Sequence, residues 1–111
     1  MNVSERIGIP WIVSTGFIRL VTHPRVLANP VSPDLAVGWV ESWLEYDHIS
    51  PVNPSHEHLK VLKDCLASAG VGANLVTDAH IAALAIEYQS SVYSNDTDFS
   101  RFSDLNWVNP L

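Results

Sequence analysis

The sequence predicts an α/β domain. Three observations carry that expectation. Segments with apolar residues at helical spacing alternate with short runs suited to strands, and proline and glycine punctuate the boundaries between them. Apolar residues make up 47% of the chain against 16% charged, which excludes a disordered chain. With 111 residues, positions 1–111 are expected to form a single domain with its own core. No apolar run approaches the ~20 residues that cross a bilayer, so no membrane association is expected. The first six residues, Met1 to Arg6, are too polar for a secretory signal. A lone cysteine, Cys65, excludes an internal disulfide and fits the reducing cytoplasm.

Taken in order, the first six residues read as a loop or frayed end. Ile7 to Trp11 can hold a very short strand, and Pro10 suits the first turn of a helix. Ile12, Val13, Phe17, Leu20 and Val21 continue at helical spacing until Thr22-His23-Pro24 stops them, and residues 25–31 form a loop. Ser32-Pro33-Asp34 is a helix start, with an N-cap, proline at the first position and an acid in the first turn. Leu35, Ala36, Trp39, Val40, Trp43 and Leu44 give that helix an apolar face running to Tyr46. Ile49 to Val52 reads as a short strand. Ser55 opens a third helix, with Leu59, Leu62, Leu66 and Ala69 inward and Gly70 as its C-cap.

Thr77 is a good N-cap for a fourth helix opened by Asp78, along which Ile81, Ala82, Leu84, Ala85 and Tyr88 repeat. Residues 91–94 suit a buried strand, the turn Asn95-Asp96-Thr97-Asp98-Phe99 follows, and a last short strand falls near Trp107-Val108. In a parallel sheet the ligand crevice lies beyond the C-terminal strand ends, which is where Asp96 and Asp98 fall. Asp78 reaches the same edge if the strand before its helix is parallel and adjacent. Three converging carboxylates repel one another, and a hard divalent cation such as Mg²⁺ relieves that repulsion. Taken alone, Asp78 also fits a helix-start acid that complements the dipole, and 95–98 a solvated turn.

The run Gly72 to Ala85 containing Thr77-Asp78-Ala79-His80, the run Ser94-Asn95-Asp96-Thr97-Asp98-Phe99-Ser100-Arg101-Phe102, and Trp107 to Leu111 together resemble the C-terminal half of PIN-domain proteins of the VapC toxin type. Ile9-Pro10-Trp11 and Phe17-Ile18-Arg19 through Val26 are similar to the same family, so the resemblance spans nearly the whole chain. It implies a three-layer domain with a small, mostly parallel sheet. It further implies an Mg²⁺- or Mn²⁺-dependent endoribonuclease with an RNA substrate, a cognate VapB-like antitoxin and a homodimer. Asp78, Asp96 and Asp98 are then the catalytic, metal-holding acids. Arg19 aligns with an arginine common in this subfamily and is a candidate either to contact phosphate or to pair structurally with a carboxylate.

Two family carboxylates have no counterpart. The family opens on an Asp-bearing strand and a helix, which need about 30 residues where six precede Ile7. The chain is therefore expected to be N-terminally truncated, lacking a central strand and prone to self-association. The family's second acid, usually Glu, falls just before Phe17, where this chain has Ser14-Thr15-Gly16. The expectation is a toxin ribonuclease by family with little activity in this chain. The alternative is a non-catalytic PIN remnant that binds antitoxin or self-associates.

Other candidates give weaker signals. Asp96-Thr97-Asp98 suggests the haloacid-dehalogenase phosphatase motif, but its late position and Ser100 exclude it. His56 and His58 face apart on a helix, so His56-Glu57-His58 reads as a polar first turn rather than a metal pair. His80 reads as solvated or packed, Arg101 as a partner of the acidic turn, and Cys65 as buried with no His-Asn context for a nucleophile. Trp39 and Trp43, one turn apart, read as core or oligomer contact rather than an RNA-stacking surface. A domain binding a small phosphorylated ligand lacks the Gly-rich loop it needs. The net charge of −6 is unusual for a nucleic-acid binder. Part of the excess is Asp78, Glu87, Asp96, Asp98 and Asp104 against Arg101, and a bound cation would offset some of it.

Overall fold

The computed structural model describes residues 6–70 and 75–111. The expected frayed end and the Gly72 side of the loop before Asp78 lie outside the described residues, apart from Arg6. The elements run β1 (Ile7–Pro10), α1 (Trp11–Thr22), α2 (Pro33–Leu44), β2 (Ile49–Val52), α3 (His58–Ala69), α4 (Val76–Glu87), β3 (Ser91–Tyr93), a 3-10 turn (Thr97–Arg101) and β4 (Asn106–Val108). Helices and short parallel strands alternate, as the α/β expectation requires. The expected single small sheet is instead two two-stranded parallel pairs, β1 with β2 and β3 with β4. Each pair closes its own crossover, and no strand among the described residues bonds to both. The chain forms two compact units, Met1–Asn53 and Pro54–Leu111.

In the first unit Pro10 ends β1 and opens α1 from an extended conformation, so one residue serves both elements. Ser32 caps α2 as expected, its Oγ accepting from the Leu35 N–H at 3.2 Å. Ala36 and Val40 are buried under α2, while Leu35 and Trp39 of the expected apolar face are exposed. Phe17 explains the position of both tryptophans. Its ring meets Trp43 edge-on at 4.8 Å and Trp39 at 6.1 Å, an aromatic cluster between α1 and α2. Trp11 Nε1 donates to Asn53 Oδ1 at 3.0 Å, tying the start of α1 to the end of β2.

The second unit is built around α3 and α4. Cys65 on α3 and Ala79, Ala82 and Ala83 on α4 are buried together with Phe99 and Phe102. Alanines let the two helices approach closely. Gly70 closes α3 in the left-handed conformation at φ 74°, its N–H donating to Leu66 O, as the sequence predicts. Three expectations are corrected. The third helix starts at His58 rather than Ser55: Ser55 donates its N–H and Oγ–H to Glu87, and its Oγ and O accept from the Glu57 and His58 N–H groups in a turn that precedes the helix. Leu59 is 77% exposed rather than inward, since the buried face of α3 is centred on Cys65 and Leu59 lies at its flank in the first turn. The fourth helix begins at Val76, so Thr77 is inside it and is not its cap; the buried Leu75 holds the preceding position.

Gly8 lies where β1 faces β2, and a Cβ added there would run into Val52 Cγ2. Valine is stiff about χ1 and cannot swing aside cheaply. Gly8→Ala is expected to destabilise the chain by about 1–3 kcal/mol, the usual cost of overpacking. A melting temperature equal to that of the natural chain would contradict the close approach of the two strands.

Candidate functional site

Three short-range devices bring the acidic side chains together. Asp78 lies in the first turn of α4. Asp96 follows β3 and caps the 3-10 turn, its Oδ1 accepting from the Asp98 N–H at 2.9 Å. The Asp96 N–H donates to Ser94 Oγ at 3.1 Å, and Trp107 Nε1 donates to Ser94 O at 2.8 Å, so the turn is fastened to β4. Phe99, buried at 4% exposure, anchors the same turn from below. One oxygen from each of Asp78, Asp96 and Asp98 then falls within 4.8 Å of the others.

Electrostatics follow from that geometry. Burial, and then the charges of Asp96 and Asp98, push the Asp78 carboxyl above its ordinary 3.8. Among the described residues no donor is bonded to the Asp78 carboxylate. Arg101 Nε lies 3.7 Å from Asp98 Oδ1, but both side chains are about half exposed, so this ion pair offsets little of the repulsion. A cluster of hard oxygen donors with uncompensated charge suits a divalent cation such as Mg²⁺ or Mn²⁺. Asp78 reaches the acidic turn, but not by the expected route: α4 follows α3, the strand before it, β2, pairs with β1 and not with β3, and it is the first turn of α4 that stands beside the 3-10 turn.

A second polar constellation lies in the same unit. The Glu87 side chain, 1% exposed, accepts at Oε1 from Ser55 N–H at 2.9 Å and Ser55 Oγ at 2.6 Å. His58 Nδ1 donates to the other oxygen, Oε2. His58 Nε2 in turn meets His80 Nδ1 at 2.8 Å, with the two rings edge to face. Burial pushes Glu87 up, but the Ser55 hydroxyl, His58 and the Ser55 amide outweigh it and hold the carboxyl below its ordinary 4.5. Burial and then the His58 ring push His80 below its ordinary 6.5.

The PIN domain family matches residues 2–105 of this chain. Ribonuclease VapC33 of Mycobacterium tuberculosis is 37% identical over 111 residues, covering 100% of this chain and 78% of that protein. This chain is a PIN domain of the VapC type. Ribonuclease VapC37 of the same organism is 38% identical over 110 residues, covering 99% of this chain and 76% of its own length. VapC ribonuclease Mb2897 of Mycobacterium bovis is 34% identical over 110 residues, with 99% and 75% covered.

The remaining candidates of this PIN domain separate clearly. Arg19 is exposed in the last turn of α1 and makes no ion pair among the described residues. Cys65 is buried, and burial, then Asp104, Asp64 and Glu87, push its thiol up, so it stays protonated and unreactive. His56 is polar surface as expected, 91% exposed beside Glu57, but it lies in the turn before α3 rather than in its first turn. The expectation fails for His58, which is 12% exposed and belongs to the Glu87 network. Sequence reasoning missed Glu87 and Ser55 because their partners are distant in the chain. The available signal was His80 and Glu87, seven residues apart and so on one face of a helix.

The signs of these shifts give a testable pH dependence. A lowered Glu87 contributes stability above 4.5 that is lost as pH falls through its folded value, and a lowered His80 adds a loss that begins below 6.5. Urea unfolding should therefore show a steeper decline on acidification for the natural chain than for Glu87→Gln. At pH 7, Glu87→Ala should cost about 3 kcal/mol by leaving His58 and Ser55 unpaired, and a loss under about 0.5 kcal/mol would contradict the network.

Proposed function

We propose that this chain is a divalent-metal-dependent ribonuclease of a toxin–antitoxin system, with Asp78, Asp96 and Asp98 as the residues that hold Mg²⁺ or Mn²⁺. The observation that carries the proposal is the convergence of those three carboxylates, in a chain similar over its whole length to proteins named VapC ribonucleases. A cation bound there would supply a water of lowered pKa and neutralise charge on a phosphodiester. The chain's own residues do the rest. Asp78 must be ionised to act as a ligand, and its raised pKa means that acid competes for it. The hydrogen bonds from Asp98 N–H and to Ser94 hold Asp96 in place before any ligand arrives. Arg19, exposed and without an ion-pair partner among the described residues, is assigned a phosphate contact. The partners that fit are an RNA substrate, a VapB-like antitoxin and a second copy of the chain, in the cytoplasm.

A second reading is favoured by one feature of α1. Ser14, Thr15 and Gly16 stand where the family's second acid is expected, and Ser14 is buried at 2% exposure. A chain without that acid serves as a non-catalytic module that binds antitoxin or self-associates.

Cleavage of structured RNA by the 111-residue chain should be slow and should stop with a chelator, because an absent positioning group costs ~10²–10⁴-fold in rate. Asp78→Asn and Asp96→Asn should each remove what cleavage remains, since each takes a charged ligand from the cluster. Robust cleavage that survives both chelator and Asp78→Asn would overturn the metal–carboxylate assignment. No metal-dependent cleavage at all would favour the binding module.

A further inference from the structure

Apolar residues surround α4, so its hydrophobic pattern chooses a rotation only coarsely. Successive residues turn by about 100°, so the buried Ala79, Ala82, Ala83, Leu84 and Ala85 are spread around its whole circumference. Four of those five are alanines, whose methyl groups interdigitate little with a neighbouring helix. Ala79, Ala82, Ala83 and Ile86 share the face turned to the core cluster and oppose a large rotation, but a small turn of α4 would change the buried apolar area only slightly. Yet Asp78 reaches Asp96 and Asp98 in one rotation only.

What distinguishes that rotation is polar. His80 and Glu87 lie on one face of α4, and both are bonded through the single His58 ring at the start of α3. Asp78 falls about 160–180° from both around the helix axis. Buried polar groups specify register where apolar packing is permissive, because a rotated helix would leave them unpaired in a site that excludes water. Glu87 has three donors to lose and is 1% exposed. His58 is the one ring that serves both ends, as donor to Glu87 and as partner of His80.

We propose that Ser55, His58, His80 and Glu87 form a positioning clasp, which fixes the rotation of α4 from one face so that Asp78, on the opposite face, is carried to Asp96 and Asp98. These are positioning residues; none is assigned contact with RNA or cation. The role in cation binding rests on the proposed function, whereas the placement of Asp78 does not.

The experiment separates the two. In a Cys65→Ala chain, Asp78→Cys and Asp96→Cys supply two thiols, and dibromobimane becomes fluorescent only when both of its arms have reacted. The bridging rate reports their proximity without any metal. Replacing the clasp by His58→Leu with Glu87→Leu keeps the volume apolar and should preserve the fold, as such replacements often do. The bridging rate should fall about tenfold, a scale set by the sensitivity of such geometries to displacements near 1 Å. His58→Gln alone, with Glu87 in place, has an amide that can both donate to Glu87 and accept from His80, and should keep the rate of the natural clasp. In the chain with its natural acids, Mn²⁺ affinity measured by water-proton relaxation should follow the same order. Unchanged bridging in a folded Leu pair overturns the clasp. Should the Leu pair not fold, His80→Phe, which leaves Glu87 and His58 together, decides: slower bridging supports the clasp and equal bridging overturns it. Bridging that follows the clasp while the natural chain binds no Mn²⁺ supports the clasp and overturns the cation site instead.

Discussion

Mutual repulsion among three carboxylates is the constraint on which the site depends. Asp78, Asp96 and Asp98 offer oxygens within 4.8 Å of one another, and among the described residues the one ion pair to them is Arg101, which reaches Asp98 weakly from an exposed position. Such an arrangement costs folding free energy unless a proton or a cation enters it. Burial first, and then the charges of Asp96 and Asp98, raise the Asp78 pKa, so a proton relieves part of that cost in the ligand-free chain. The scaffold must therefore hold the acids together against their own charge. It does so with backbone donors, a capped 3-10 turn, a buried phenylalanine and the tryptophan bond to Ser94.

The two polar clusters of the second unit differ in kind. Around Glu87 every oxygen is met by a donor, burial is nearly complete and the pKa is lowered. Around Asp78 the carboxylate has no donor among the described residues and the pKa is raised. The first pattern is what stability asks of a buried charge, and the second is what a ligand site leaves open. Both depend on α4, whose buried alanines permit close packing against α3.

Much of this was legible in the sequence, and the losses have local causes. Ser32-Pro33-Asp34 and Gly70 carry their own boundary chemistry, and the structure places a cap at each. Asp78, Asp96 and Asp98 were legible because two lie in one turn and the third matches a family motif. Ser55 was misread because a serine after proline looks like a cap, and only tertiary structure shows Glu87 claiming its hydroxyl 32 residues away. Likewise, nothing local marks His58 as different from His56. Two parallel pairs in place of one sheet were equally beyond reach, since strands of three or four residues do not announce their partners.

For an acidic chain proposed to act on RNA, a cation held by Asp78, Asp96 and Asp98 would offset part of the negative charge. The most direct measurement is anomalous scattering from crystals of the chain grown with Mn²⁺. The account expects one anomalous peak within coordination distance, about 2.0–2.3 Å, of oxygens from Asp78, Asp96 and Asp98. Saturating Mn²⁺ with no peak among these three carboxylates, or a peak held by other residues alone, would contradict it.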